Sequence, residues 1–293
     1  MPELPEVEAL ALDLAGRLEG RAIVRIDLAA FSALKTFDPP LSALSGAFVD
    51  GVTRHGKFLD ISAGGLHLCI HLARAGWIRW KDSVPAAPAR PSSKSPLAAR
   101  IVLDDPEAET GAGLDITEAG TKKSLALYVV RSPADVPGIA SLGPDPLAPE
   151  FTAEVLGAIL TAEGRKQIKG VLRHQGTIAG IGNAYSDEIL HAARMSPYKP
   201  ASSIEGEELT TLYLAIRDTI GDAVDRSRGL AASELKGEKK SNMAVHGRTG
   251  QPCPVCGDTV REVSFADSSL QYCATCQTGG KPLADRRMSK LLK

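Results

Sequence analysis

Apolar residues recur at helical spacing from the start of the chain. Val7, Leu10, Leu14 and Leu18 share one face of a segment that runs from Pro5 to Gly20. Proline suits a first helical turn and glycine a last one, so the pattern predicts one amphipathic helix. The period then changes. Residues 22–28, 58–61, 66–72, 77–80, 99–103 and 125–130 are short and rich in β-branched or alternating apolar positions, which predicts strands. Residues 83–98 are dominated by Pro, Ser and Ala and read as a mobile loop. Proline and glycine crowd residues 133–149, the best place for a linker. Helical spacing returns at 152–163, 166–174, 184–193 and 204–228. The order predicts an α+β chain: a β-rich domain behind one helix (1–132), a linker (133–151), a helical domain (152–240) and a small terminal module (241–293).

Composition adds little to this picture except in two respects. The 293 residues are 43% hydrophobic, ample for packed cores. No apolar run is long enough for a membrane span, and no basic-then-apolar leader opens the chain, so a cytoplasmic protein without membrane contact is expected. The formal net charge of −1 conceals an asymmetry: from Lys236 onward there are ten Lys/Arg against five Asp/Glu, a net of +5. That end is a candidate footprint for a polyanion, although a solvated face would look the same.

The cysteines are more specific. Cys253 and Cys256 form one close pair, Cys273 and Cys276 a second, with sixteen residues between them. Each pair is a turn presenting two sulfurs, and together they match a closed tetrahedral thiolate site, so one structural Zn2+ is expected. Val260, Val263 and Phe265 would form one strand of a hairpin, residues 266–269 its turn and residues 270–272 the return. Cys69 lies in an apolar strand and reads as a core residue.

Two further stretches carry chemistry. In Gly180-Ile181-Gly182-Asn183-Ala184-Tyr185 a tight turn opens a helix, whose N-terminal amides favour an anion, and Asn183 offers a side-chain donor. An ordinary capped turn has the same pattern. At the N-terminus, removal of Met1 would expose the secondary amine of Pro2. An α-amino group has a pKa near ~7.7–8.0 and is partly neutral at physiological pH. Such an amine can attack a carbon of carbonyl character and form an iminium, with Glu3 beside it to move a proton.

Taken together, the motifs resemble the formamidopyrimidine-DNA glycosylase and endonuclease VIII family. They are Pro2-Glu3-Leu4-Pro5-Glu6-Val7-Glu8, Arg54-His55-Gly56-Lys57-Phe58-Leu59, Leu142-Gly143-Pro144-Asp145-Pro146-Leu147, the Gly-Ile-Gly-Asn turn, and Val245-His246-Gly247-Arg248 leading into the four cysteines. The resemblance spans nearly the whole chain. It implies a two-layered β-sandwich behind the first helix, a helix–two-turn–helix domain and a zinc hairpin. It also implies a monomeric base-excision-repair enzyme acting on damaged DNA, a glycosylase with abasic-site lyase activity by β,δ-elimination. Pro2 would be the nucleophile, Glu3 the proton-transfer group and Lys57 a phosphate grip, with Glu6 and Glu188 as secondary acids. Asn183, the backbone at Tyr185, Arg74, His246 and Arg248 would contact DNA, and the damaged base would leave the stack.

The chain departs from the family pattern in three places and extends it in one. Ser268 stands where the finger usually carries an arginine. Arg74 stands where a methionine normally fills the gap left by the flipped base. The Asp-Pro-Arg-Arg-Phe-Gly segment is replaced by Thr117-Glu118-Ala119-Gly120-Thr121-Lys122-Lys123-Ser124, without an aromatic. Residues 277–293, with five Lys/Arg and one Asp, continue past the last cysteine. These differences keep two alternatives open: a non-catalytic DNA-damage binder, or a lyase or glycosylase restricted to abasic, single-stranded or crosslinked DNA.

Overall fold

The computed structural model describes residues 1–91, 95–104, 111–265 and 268–284. They form two compact units. The first comprises Met1–Ser141 and Ser227–Leu235; the second comprises Leu142–Arg226 and the described residues from Lys236 on. Ser227–Leu235 therefore belong to the first unit, whereas the sequence groups them with the helical domain.

The first unit opens with α1 (Leu4–Leu18), which starts one residue before Pro5 and buries Val7, Leu10, Leu14 and Leu18 as the spacing predicts. Eight strands follow: β1 (Ile23–Leu28), β2 (Val49–His55), β3 (Phe58–Ala63), β4 (Leu66–His71), β5 (Gly76–Lys81), β6 (Leu97–Leu103), β7 (Gly113–Glu118) and β8 (Ala126–Val130). They make two antiparallel sheets in the orders β1-β6-β7-β5 and β2-β3-β4-β8. One core, including Leu10, Leu14, Leu59, Ile61, Ile101, Leu114 and Ile116, joins α1 to strands of both sheets. This is the two-layered sandwich behind a helix.

Two strands escape the sequence pattern. In β2 a register shift between Val49 and Gly51 breaks the alternation, so only Val49 and Val52 mark the buried face. In β7, Asp115 sits between Leu114 and Ile116 and is nonetheless buried. Arg100 on the neighbouring β6 holds it with two bonds, Nε to Oδ1 at 2.6 Å and Nη2 to Oδ2 at 2.9 Å, which offsets the cost of burying the charge. Strand β6 also begins at Leu97, inside the segment read as loop.

After the short helix α2 (Pro137–Ala140), the second unit holds α3 (Ala153–Glu163), α4 (Ile168–Arg173), α5 (Asn183–Ala192) and α6 (Gly206–Ser227), each within two residues of its predicted span. The short α7 (Leu235–Ser241) has no counterpart in the sequence reading. The hairpin of β9 (Val260–Ser264) and β10 (Ser269–Cys273) follows, then α8 (Ala274–Thr278). Ser269 pairs with Ser264, so it lies in the strand and not in the turn, and Phe265 falls outside the strand. Ala266 and Asp267 lie outside the described residues, as do residues 285–293 of the basic extension. Among the described residues no helix is long and apolar enough to cross a membrane.

Candidate functional site

The start of α1 is built around a reciprocal cap. The Glu3 backbone N–H donates to Glu6 Oε2 at 2.8 Å, and the Glu3 carboxyl takes the N–H of Glu6 in return. Two helix-end donors are satisfied, and both carboxyls are fixed. Glu3 is 2% exposed and Glu6 1%, and Pro2 is buried beside them. The residues chosen for proton chemistry are thus also the local device that starts the helix.

Lys57 lies in the turn between β2 and β3, itself almost fully buried. Arg54 ties this turn to α1: its Nε donates to Glu8 Oε2 at 2.6 Å and its Nη1 to Gly56 O at 3.1 Å. His71, at the end of β4, packs its ring on Phe58 with centroids 4.7 Å apart. Burial, and then the charge of Lys57, hold the His71 pKa below its ordinary value, which favours the neutral imidazole.

Arg74 is exposed on the tight turn from β4 to β5. The turn closes through Gly76 N–H to Leu72 O at 2.8 Å. A Cβ at Gly76 would lie 2.1 Å from that same oxygen, so only glycine fits. Ala73 adopts φ +52°, a left-handed conformation that is costly for a residue with a Cβ. Ala73→Gly is therefore expected to stabilise the protein by about 0.5–1 kcal/mol, the strain relieved being partly offset by the freer unfolded chain. A melting temperature that falls in this variant would show that the strain is not there.

In the second unit the Gly-Ile-Gly-Asn turn is braced by one side chain. Gln175 Oε1 accepts from Gly180 N–H at 3.0 Å, and Gln175 Nε2 donates to Ile181 O at 2.7 Å. Helix α5 then starts at Asn183, with no acidic residue in its first turn. The Asn183 Nδ2 donates to Ser269 O of the hairpin at 2.7 Å, and its Oδ1 is buried without a partner. A phosphate contact through Nδ2 requires that bond to be shared or exchanged. The Tyr185 ring is buried under the Lys239 ammonium, 4.6 Å from its centroid.

The next turn of α5 holds the lead-in to the finger. Glu188 accepts the N–H groups of Ala244, Val245 and His246 at 2.7–3.0 Å. Burial raises its pKa, and the three amides act against that rise. Asp187, fully buried, takes Lys169 Nζ at 2.5 Å on one oxygen and His246 Nδ1 at 2.8 Å on the other. Arg248, half-buried, donates to Met243 O at 3.2 Å and to Gln251 Oε1 at 2.9 Å. The sequence reading missed Asp187 and Lys169; the only sign of them was an acidic pair directly after the glycine turn.

The four cysteine sulfurs lie within 4.8 Å of one another. Cys253 and Cys276 are 3.9 Å apart and Cys256 and Cys273 3.3 Å, around the ~3.8 Å edge of a tetrahedron with ~2.3 Å Zn–S bonds. Four soft thiol donors with no open position suit one structural Zn2+. His191, at the far end of α5, sits with Nε2 3.2 Å from Cys253 Sγ and fixes that ligand from behind. Leu283 N–H donates to Tyr272 OH at 2.8 Å, which fastens the described start of the extension to the hairpin.

Family models match three consecutive parts of the chain. They are the formamidopyrimidine-DNA glycosylase N-terminal domain over residues 1–112, the formamidopyrimidine-DNA glycosylase H2TH domain over 142–234, and the zinc finger found in FPG and IleRS over 250–279. The formamidopyrimidine-DNA glycosylase of Symbiobacterium thermophilum is 34% identical over 301 residues, covering 98% of this chain and 93% of that protein. The chain belongs to the formamidopyrimidine-DNA glycosylase family. A Mycobacterium tuberculosis protein described as formamidopyrimidine-DNA glycosylase-like is 58% identical over 160 residues, 55% of this chain and 99% of its own. The crystal structure of MutM (Fpg) from Thermus thermophilus superposes with a TM-score of 0.78 at 30% identity, covering 96% of this chain and 100% of that one. A MutM structure in complex with carbocyclic 8-oxo-G containing DNA gives 0.80 at 25% identity, covering 94% and 100%. As in other members, the four-cysteine finger is a structural zinc site.

Proposed function

We propose that this family member excises a damaged base from DNA and then cleaves the strand at the abasic site. The observation that carries the reading is the start of α1. There Pro2 is held beside two buried, cap-locked carboxyls, Glu3 and Glu6. With Met1 removed, the Pro2 nitrogen attacks the sugar carbon that carries the base. The base leaves with the electron pair of the glycosidic bond. Glu3 delivers a proton to the sugar oxygen as the ring opens, and an iminium links protein to DNA. The iminium acidifies the neighbouring sugar protons, so β- and then δ-elimination cut the strand. Lys57, braced through Arg54, grips a phosphate, and the amide end of α5 with His246 and Arg248 holds the backbone further along. Zinc, when bound, supplies only the shape of the finger.

Borohydride reduction of a mixture of the purified chain and abasic-site DNA tests this directly. A covalent adduct at the N-terminal residue is expected, together with an intact mass showing loss of Met1. No adduct from a chain that has lost Met1 would defeat the reading and favour the non-catalytic binder. A second reading shares the chemistry but not the substrate. The loop of residues 119–124 carries no aromatic side chain to fill a gap in a duplex, which favours a lyase or glycosylase with little dependence on the opposite strand. Equal cleavage of single-stranded and duplex abasic DNA would support it.

A further inference from the structure

A cavity of about 760 Å3 opens in the first unit, walled by the segment after β1, the start of β6 and the loop from β7 to β8. Pro2, Glu3 and Lys57 are not among its walls. Ala30, Ala33, Ala98 and Leu125 make its apolar wall, and Ser32, Ser95 and Thr121 add hydroxyls. Lys35 and Lys123 stand at its edge, their ammonium groups donating to the carbonyls of Ser32 and Glu118 respectively. Each ammonium keeps further N–H donors for an anion.

Glu118 also lines this cavity and is itself only 3% exposed. The hydrogen bonds of its carboxylate all fall on one oxygen: Oε1 accepts from Ser124 N at 2.7 Å, Leu125 N at 3.0 Å and Ser124 Oγ at 3.5 Å. Oε2 has no partner among the described residues. It is not sealed inside the protein either, because the one sealed and unpartnered side-chain atom among the described residues is Asn183 Oδ1. Glu118 is itself a wall of the cavity, so its unpartnered oxygen is the carboxylate acceptor available there, beside the apolar Ala30, Ala33, Ala98 and Leu125 and the hydroxyls of Ser32 and Thr121. The same loop is bonded to the turn that carries Arg74, through Ala119 N–H to Ala75 O at 3.2 Å.

A recess with apolar walls at Ala30, Ala33, Ala98 and Leu125 and one fixed carboxylate acceptor suits an apolar-faced ring that offers an N–H donor. A cationic rim selects a ring attached to phosphate. A carboxylate accepting from a base amino group is an established form of base readout. We propose that this cavity takes one unstacked nucleobase of the bound DNA and reads an amino group on it through Glu118 Oε2. The proposal rests on the glycosylase reading above and adds a second base-binding site to it.

Glu118→Gln isolates the free oxygen. The amide carbonyl still accepts from Ser124 and Leu125, while an NH2 donor replaces Oε2. Ala119→Phe, at an exposed position of the wall, plugs the recess without touching Glu118. The probe is duplex DNA with an abasic-site analogue and 2-aminopurine opposite it or at either flanking position. On binding the wild-type chain, fluorescence is expected to rise at one of these positions, and both variants lose that rise. Adenine at the responsive position binds about five- to tenfold tighter than unsubstituted purine to the wild type, and about equally to Glu118→Gln. Equal fluorescence in all three proteins, or no rise at any position, overturns the proposal. Wild-type chain that neither binds nor traps on abasic DNA overturns the glycosylase reading as well; trapping without a Glu118-dependent signal overturns the cavity alone.

Discussion

Glu3→Gln is expected to slow cleavage of abasic-site DNA by roughly 10²–10⁴-fold while leaving the melting temperature within a few degrees of wild type. The two halves of this expectation come from separate atoms. The helix cap needs a side-chain oxygen that accepts the Glu6 N–H, and glutamine supplies one. The cap also needs the Glu3 backbone N–H for Glu6 Oε2, which the substitution does not touch. Proton transfer, in contrast, needs an acid, and an amide has none. Glu6→Gln separates the roles from the other side: its carbonyl oxygen still takes the Glu3 N–H, and Glu3 remains an acid, so a smaller loss is expected. Rates under single-turnover conditions, beside thermal melts of the same preparations, decide the matter. Should the folded Glu3→Gln variant cleave as fast as wild type, the assignment of Glu3 to proton transfer fails; should it unfold the first unit, glutamine does not replace the cap.

The double use of Glu3 also shows what the sequence alone makes legible. The helix after Pro5, six of the eight sandwich strands and the zinc hairpin follow from periodicity and cysteine spacing, because each is set by local geometry. Strand β2 was not legible, since its register shift at Gly51 hides the alternation. Strand β7 was hidden by Asp115, whose burial depends on Arg100 from another strand. The same limit applies to the candidate site. Pro2, Glu3, Lys57 and the cysteines stand in readable motifs. Asp187 bonding His246, His191 bonding Cys253, and the free oxygen of Glu118 exist only once distant segments meet. Asn183 shows the converse: it reads as an outward donor, yet its amide reaches Ser269, 86 positions away.

Replacing Cys256 with serine is expected to take the zinc content from about one ion per chain to about none, and to weaken binding to abasic-site DNA by at least about tenfold. Structural zinc sites contribute on the order of 10–16 kcal/mol to folding, and one lost thiolate opens the tetrahedron. Cys256 is the informative ligand because it is exposed, so its substitution removes a metal bond and almost no packing. Cys273 is fully buried, and its loss would mix the two effects. Without the metal, the remaining support for the finger is a two-stranded hairpin, which is marginal alone in water. The damage should not stop there. Asn183 Nδ2 to Ser269 O, His191 Nε2 to Cys253 Sγ and Gln277 Nε2 to Met195 O fasten the finger to both ends of α5 and the turn after it. Amide hydrogen exchange over residues 183–195 should therefore quicken in Cys256→Ser, while exchange in β3 and β4 of the sandwich stays as in wild type. If the variant keeps its zinc, the four-thiolate assignment is wrong. If zinc is lost but α5 stays protected and DNA binding is unchanged, the finger is a passenger, and the N-terminal end of α5 is held by the glycine turn and Gln175 alone.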